Sequence, residues 1–167
     1  MDVQDLDLSG LSQEDLRKLA ARVLSFVEKP EKGIGPDLFG AIIAVVPQTC
    51  IEAIVVDNIA QPNRILVTWR SDKHYLGWHF PGGYVRFGDN FEQTVRKVVK
   101  RELSRKTKGM KFTGTLTHNV DTRGHTLGAV FLVELDQEPE VGKWFNKVPF
   151  ALLPHHKAFL KEVLGWK

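Results

Sequence analysis

A chain of 167 residues, 43% hydrophobic and 26% charged, fits one domain and has the composition of a packed globular protein, not of a disordered or fibrous one. Twenty-three Lys and Arg against 20 Asp and Glu leave a net charge of only +3, too small to argue for nucleic-acid binding. Cys50 is the sole cysteine, which excludes an internal disulfide and a cysteine-based zinc site, and the longest apolar run, residues 39–46, is far short of the ~20 residues a membrane span needs.

The N-terminus carries Asp2, Asp5 and Asp7 and lacks the basic and apolar regions of a signal peptide, so a cytoplasmic location away from membranes is expected. Ser12 with Asp15 three residues on makes a capping box. Leu16, Leu19, Ala20, Val23, Leu24 and Val27 then recur at helical spacing, predicting a helix over residues 13–28 that stops before Pro30. Residues 29–37 are a Pro/Gly connector. Three β-rich runs follow at 39–46, 50–57 and 65–70, the last two joined by a turn containing Pro62 and Asn63. Residues 77–88 read as loop, with Pro81-Gly82-Gly83 at the centre.

Phe91, Val95, Val98, Val99 and Leu103 predict a helix over 90–106, with Gly109 as its stop. Strands are expected at 111–120 and 125–135 with a turn at 121–124 between them, and a closing helix at 154–164. The order suggests a mixed sheet between helical layers. Arg96, Lys97, Lys100, Arg101, Arg105, Lys106, Lys108 and Lys111 crowd one stretch, either a solvated helix face or a positive wall beside an anionic substrate.

The segment that carries chemistry is residues 77–109, GWHFPGGYVRFGDNFEQTVRKVVKRELSRKTKG. A glycine-rich loop running into a helix gathers backbone groups and helix side chains around one point, a site suited to phosphates and metal ions. The order of parts resembles the Nudix hydrolase motif, G-x5-E-x7-R-E-U-x-E-E-x-G-U. Gly83 matches the first glycine, Asp89 stands for the first glutamate, Lys97 replaces the arginine, and Glu102 falls on the last glutamate. Val98, Arg101 and Ser104 depart from the motif. The reduced form is similar to the GDP-mannose mannosyl hydrolase branch, where one helix glutamate survives in an A-E-L-G-like run; Arg101-Glu102-Leu103-Ser104 sits there. Residues 77–83 and Arg70 ahead of them resemble that branch too, and residues 118–135 do so more loosely.

The resemblance implies an α/β fold, a Nudix-type α/β/α sandwich with a mixed β-sheet and a loop-helix-loop motif. Residues 38–167 would form the Nudix-like domain, and residues 1–37 an N-terminal helix and connector. The implied activity is magnesium- or manganese-dependent hydrolysis of a nucleoside diphosphate derivative, most like a nucleotide sugar such as GDP-mannose. Gly83, Asp89 and Glu102 would hold the metal, Asp89 and Glu102 doubling as catalytic groups, and Arg70 and Arg86 would hold phosphates. Partners reduce to the small-molecule substrate, with a homodimer left open. A Nudix-fold binding or regulatory domain without turnover is the alternative, favoured by Val98 and Arg101.

Each residue also has a plainer reading. Glu102 could pair with Arg105 or Lys106, Asp89 could serve the helix start as a cap, and Arg70 and Arg86 could anchor the surface. Magnesium commonly uses one or two protein carboxylates plus phosphates and waters, so a thinned cluster weakens metal binding without forbidding it. For the general base, Glu138 and Glu140 in the late loop are the candidates, against a reading of both as solvated. His155-His156 reads as helix surface. Trp144 and Phe145 read as core cover or as platforms for a base.

Overall fold

Residues 51–56, Ile-Glu-Ala-Ile-Val-Val, are buried without a break, which a strand tolerates only at the centre of a sheet covered on both faces. The computed structural model describes residues 7–72, 75–120 and 124–166 and has β1 (Gln48–Val56) in that position. Its neighbours are antiparallel β2 (Ile65–Ser71) and parallel β6 (Gly124–Leu135). With β3 (Leu76–His79) and β5 (Thr107–Val120), the sheet runs in the order β3-β2-β1-β6-β5. Two short strands join from the side: β4 (Gly82–Tyr84) on the first half of β1, and β7 (Lys143–Phe145) on the start of β2.

Alternation along β1 divides the interior. Ile51, Ala53 and Val55 pack with Val95, Val98, Val99 and Leu103 of α3 (Phe91–Leu103). Ile54 and Val56 pack on the other face with Phe159 and Leu160 of α4 (Pro154–Leu164). Each such Ile, Val, Leu or Phe side chain contributes roughly 1.5–3 kcal/mol on burial, which fixes both helices to the sheet. This is the expected α/β/α arrangement around a mixed sheet.

Several boundaries differ from expectation. Residues 39–46 are not a strand: α2 (Pro36–Ile43) is a helix opened by Pro36 at its first position, with Asp37 in its first turn. A short apolar run has no period that separates strand from helix, and the proline start decides it. Helix α1 (Gln13–Leu24) begins as predicted, with Ser12 Oγ accepting from the Asp15 N–H at 3.2 Å, but ends at Leu24 and buries none of its residues. Helix α3 stops at Leu103 because Ser104 turns left-handed at φ 55°, so β5 starts earlier than predicted and absorbs Gly109. The loop at 77–88 contains β3 and β4, and β7 was not foreseen. Most of the expected 121–124 turn, residues 121–123, lies outside the described residues. No helix among the described residues is long and apolar enough to cross a membrane.

Candidate functional site

Strands β1 and β2 pair only at Val55–Leu66 and Val56–Ile65. Beyond that point β2 turns to β3, and β1 takes up β4 instead. The strands part, and a cleft of about 1170 Å³ opens between them. The glycine loop, the last turn of α3, the start of α4 and the connector before α2 all reach it. Arg70, Arg86, Arg101, Glu52 and Glu102 line it together with Trp69, Tyr75 and Phe87.

The loop reaches the sheet because its glycines have no side chains. A Cβ on Gly82 would stand 2.8 Å from Glu52 Oε2, and one on Gly83 would stand 3.2 Å from Val98 Cγ2. The pair thus lies flat between β1 and α3, with the Gly82 carbonyl turned toward the helix. Arg101 donates from Nη2 to that carbonyl at 2.9 Å and to Glu102 Oε1. Glu102, with a side chain 21% exposed, therefore pairs with Arg101 and with neither Arg105 nor Lys106. Val98, at the position of a motif glutamate, is 1% exposed and belongs to the core.

Glu52 and His156 are the residues that sequence reading missed: His156, expected on the helix surface, is buried at 3% exposed. Glu52 lies on the face of β1 that α4 covers, and His156 Nε2 stands 3.4 Å from Glu52 Oε2. The Phe80 N–H donates to His156 Nδ1 at 3.1 Å, which puts the ring proton on Nε2, toward the carboxylate. The available signal was an acid inside an otherwise apolar strand, residues 50–56. His79 is a structural clip. Nδ1 pairs with the Phe80 carbonyl at 2.6 Å and Nε2 with the Thr68 hydroxyl at 3.0 Å. Burial holds its pKa below the ordinary histidine value, so the ring is neutral at pH 7 and both nitrogens are engaged.

Of the other predicted residues, Arg70 lines the cleft, paired with Asp72 and stacked over the Tyr75 ring at 5.1 Å. Arg86 is exposed on the same cleft. Asp89 is not among the lining residues. Lys97 Nζ takes both its oxygens at 2.7 and 2.8 Å, and the helix cap is Asn90, closed reciprocally with Gln93. Glu138 and Glu140 do not line the cleft either. Glu138 pairs with Arg64 and accepts from Trp144 Nε1, while Glu140 meets Arg105. Trp144 and Phe145 pack on the two cores, the cover expected of them. The basic stretch is mostly a solvated face of ion pairs, with Arg101 alone reaching the cleft among its eight members.

Among the described residues no three His, Cys, Asp or Glu side chains converge on one point. Two oxygens do: the Gly82 carbonyl and Glu102 Oε1 both face the same guanidinium nitrogen. Hard oxygen donors around one cation-sized position suit magnesium or manganese, with water and ligand phosphates completing the shell.

Comparison with known proteins agrees with this architecture. The chain is 27% identical over 127 residues to an ADP-ribose pyrophosphatase of Methanocaldococcus jannaschii, covering 69% of this chain and 75% of that one. A MutT NUDIX hydrolase structure from Burkholderia pseudomallei superposes with a TM-score of 0.62 at 22% identity, over 71% of this chain and 98% of that one. The NUDIX domain of Shewanella oneidensis NrtR, solved in complex with ADP ribose, does so at 0.56 and 17% identity, over 87% and 96%. The NUDIX domain family model matches residues 50–164, from the first buried residue of β1 to the end of α4. The buried residues of both cores and the glycine loop fall within those limits, the connector before α2 adds lining to the cleft from outside them, and the chain belongs to the NUDIX domain family.

Proposed function

We propose that the cleft hydrolyses a nucleoside diphosphate linked to a sugar. The observation that carries this reading is the convergence of three guanidinium groups and two carboxylates on one cleft. Guanidinium groups match phosphate oxygens in charge and in fork geometry. Exposed Trp69 and Phe87 and half-buried Tyr75 offer flat apolar area to a base or sugar ring. Similarity to an ADP-ribose pyrophosphatase, and to a NUDIX domain seen with ADP ribose, supports ADP-ribose within this class. The reduced run Arg101-Glu102-Leu103-Ser104 supports GDP-mannose within the same class.

Gly82 and Glu102 would hold a magnesium or manganese ion, which when bound supplies charge neutralisation to the departing phosphate. Arg70 and Arg86 orient the diphosphate. Glu52, steadied by His156, accepts the proton of the attacking water. It lines the cleft, and its Oε2 stands 3.4 Å from His156 Nε2. Asp89 acts at one remove, holding Lys97 beside the helix start.

The test is turnover of ADP-ribose and GDP-mannose with magnesium, with products identified. Glu102→Gln should abolish turnover and keep the fold. Full activity in that variant would refute the reading. A second reading, ligand binding without turnover, is favoured by one observation: Arg101 fills the position between Gly82 and Glu102. Tight binding of both compounds with no product would select it.

A further inference from the structure

Adjacent residues on an α-helix point about 100° apart, so Arg101 and Glu102 do not meet by helix geometry. They meet here because Arg101 bends back to a third corner, the Gly82 carbonyl, which its Nη2 reaches at 2.9 Å while also donating to Glu102 Oε1. A Cβ on Gly83 would stand 3.4 Å from the same nitrogen, so the loop closes around the guanidinium. One positively charged nitrogen thus sits between the two oxygens that suit a divalent ion. We infer that Arg101 is a built-in cation that competes with the divalent metal for Gly82 and Glu102, so that metal enters only as Arg101 leaves. The inference rests on the proposed placement of metal at these two residues.

The chemistry makes the competition direct. A carbonyl and a carboxylate oxygen directed at a guanidinium nitrogen cannot also close on an ion of magnesium's size, and a resident positive charge repels an incoming one. Arg101, with a side chain 59% exposed, has room to swing out. The cleft already presents Arg70 and Arg86, so a displaced Arg101 stays among anion-binding groups, where a diphosphate gives it a new partner. Metal affinity in the ligand-free protein is therefore held down by a side chain, not by a shortage of donors alone.

The experiment is a manganese titration of the nucleotide-free protein, by calorimetry and by the electron paramagnetic resonance signal of free Mn2+. Neither readout depends on turnover. Arg101→Ala and Arg101→Met vacate the position, and Met keeps the apolar length of the stem. Lys100→Gln removes one charge from an exposed position two residues from Glu102, which does not share its face. Both Arg101 variants should bind manganese on the order of tenfold tighter than wild type, the step that 1.4 kcal/mol represents, while Lys100→Gln shifts it less than about threefold. Adding Glu102→Gln to Arg101→Ala should erase the gain. Equal affinity in wild type and both Arg101 variants, with Glu102→Gln still weakening wild-type binding, would overturn the competition and leave the metal placement standing. A gain that survives Glu102→Gln would overturn both. A gain of the same size in Lys100→Gln would reduce the effect to net charge and overturn the competition.

Discussion

Arg70 is held by Asp72 and by the Tyr75 ring, so it lines the cleft with little side-chain entropy left to lose on binding. Lysine keeps the charge and loses the fork. Arg70→Lys should weaken binding of a nucleoside diphosphate about tenfold, measured by calorimetry; unchanged affinity would return Arg70 to a surface anchor. Glu52→Gln keeps the size of the side chain and removes the proton acceptor. Turnover should fall by about 10²–10⁴ with ligand affinity within a few-fold, and an equal loss in both would assign Glu52 to binding alone. Arg70, Gly83, Arg86 and Glu102, singled out in the sequence, all line the cleft, the last three because a loop running into a helix keeps them in order along the chain. Glu52 and His156 were not legible in the sequence. They lie 104 positions apart, and only the register of β1 beneath α4 brings them to 3.4 Å.

Helix α3 shows how one element serves both core and cleft. Val98 packs at 1% exposure, one turn before half-buried Glu102. Restoring the motif glutamate at this position would bury a charge in an apolar cluster. Val98→Glu should cost more than about 3 kcal/mol by urea denaturation, and a smaller loss would show that the helix can rotate the site into water. The β1–β2 turn makes a second case. Asp57 Oδ1 accepts from the N–H groups of Asn58, Asn63 and Arg64 at 3.0–3.3 Å. Burial pushes the Asp57 pKa up, but these N–H groups outweigh it and hold the carboxyl below its ordinary 3.8. A depressed pKa stabilises the fold above the unfolded-state value and loses that contribution as pH falls through the folded-state value. Asp57→Ala should therefore cost about 1–2 kcal/mol at pH 7 and less as pH falls through the folded-state value, read from urea midpoints at pH 7 and in acid. Helix α2 was misread because eight apolar residues carry no period, whereas α3 was legible from the spacing of its apolar residues.

At the scale of the whole molecule, the two cores fall within the matched residues and α1 falls outside them, its twelve residues all unburied. A chain beginning at Lys29 should keep its unfolding free energy within about 0.5 kcal/mol of the full chain, and a larger drop would mean that α1 packs on the domain in solution. The layered fold was legible in advance because each long element announces its own period. The parting of β1 from β2, which makes the cleft, was not, since it depends on short strands β3 and β4 that no local pattern marks. The proposed reaction breaks a nucleoside diphosphate–sugar compound in this cleft. Phosphorus-31 NMR of ADP-ribose and of GDP-mannose, each incubated with the protein and magnesium in 18O-water, tests it most directly. The diphosphate signals of at least one compound should give way to those of products. An isotope shift on a new phosphate monoester would mark attack at phosphorus, and an unshifted nucleoside diphosphate would mark attack at the sugar carbon. Diphosphate signals that persist unchanged in both compounds, with protein at substrate concentration, would contradict it.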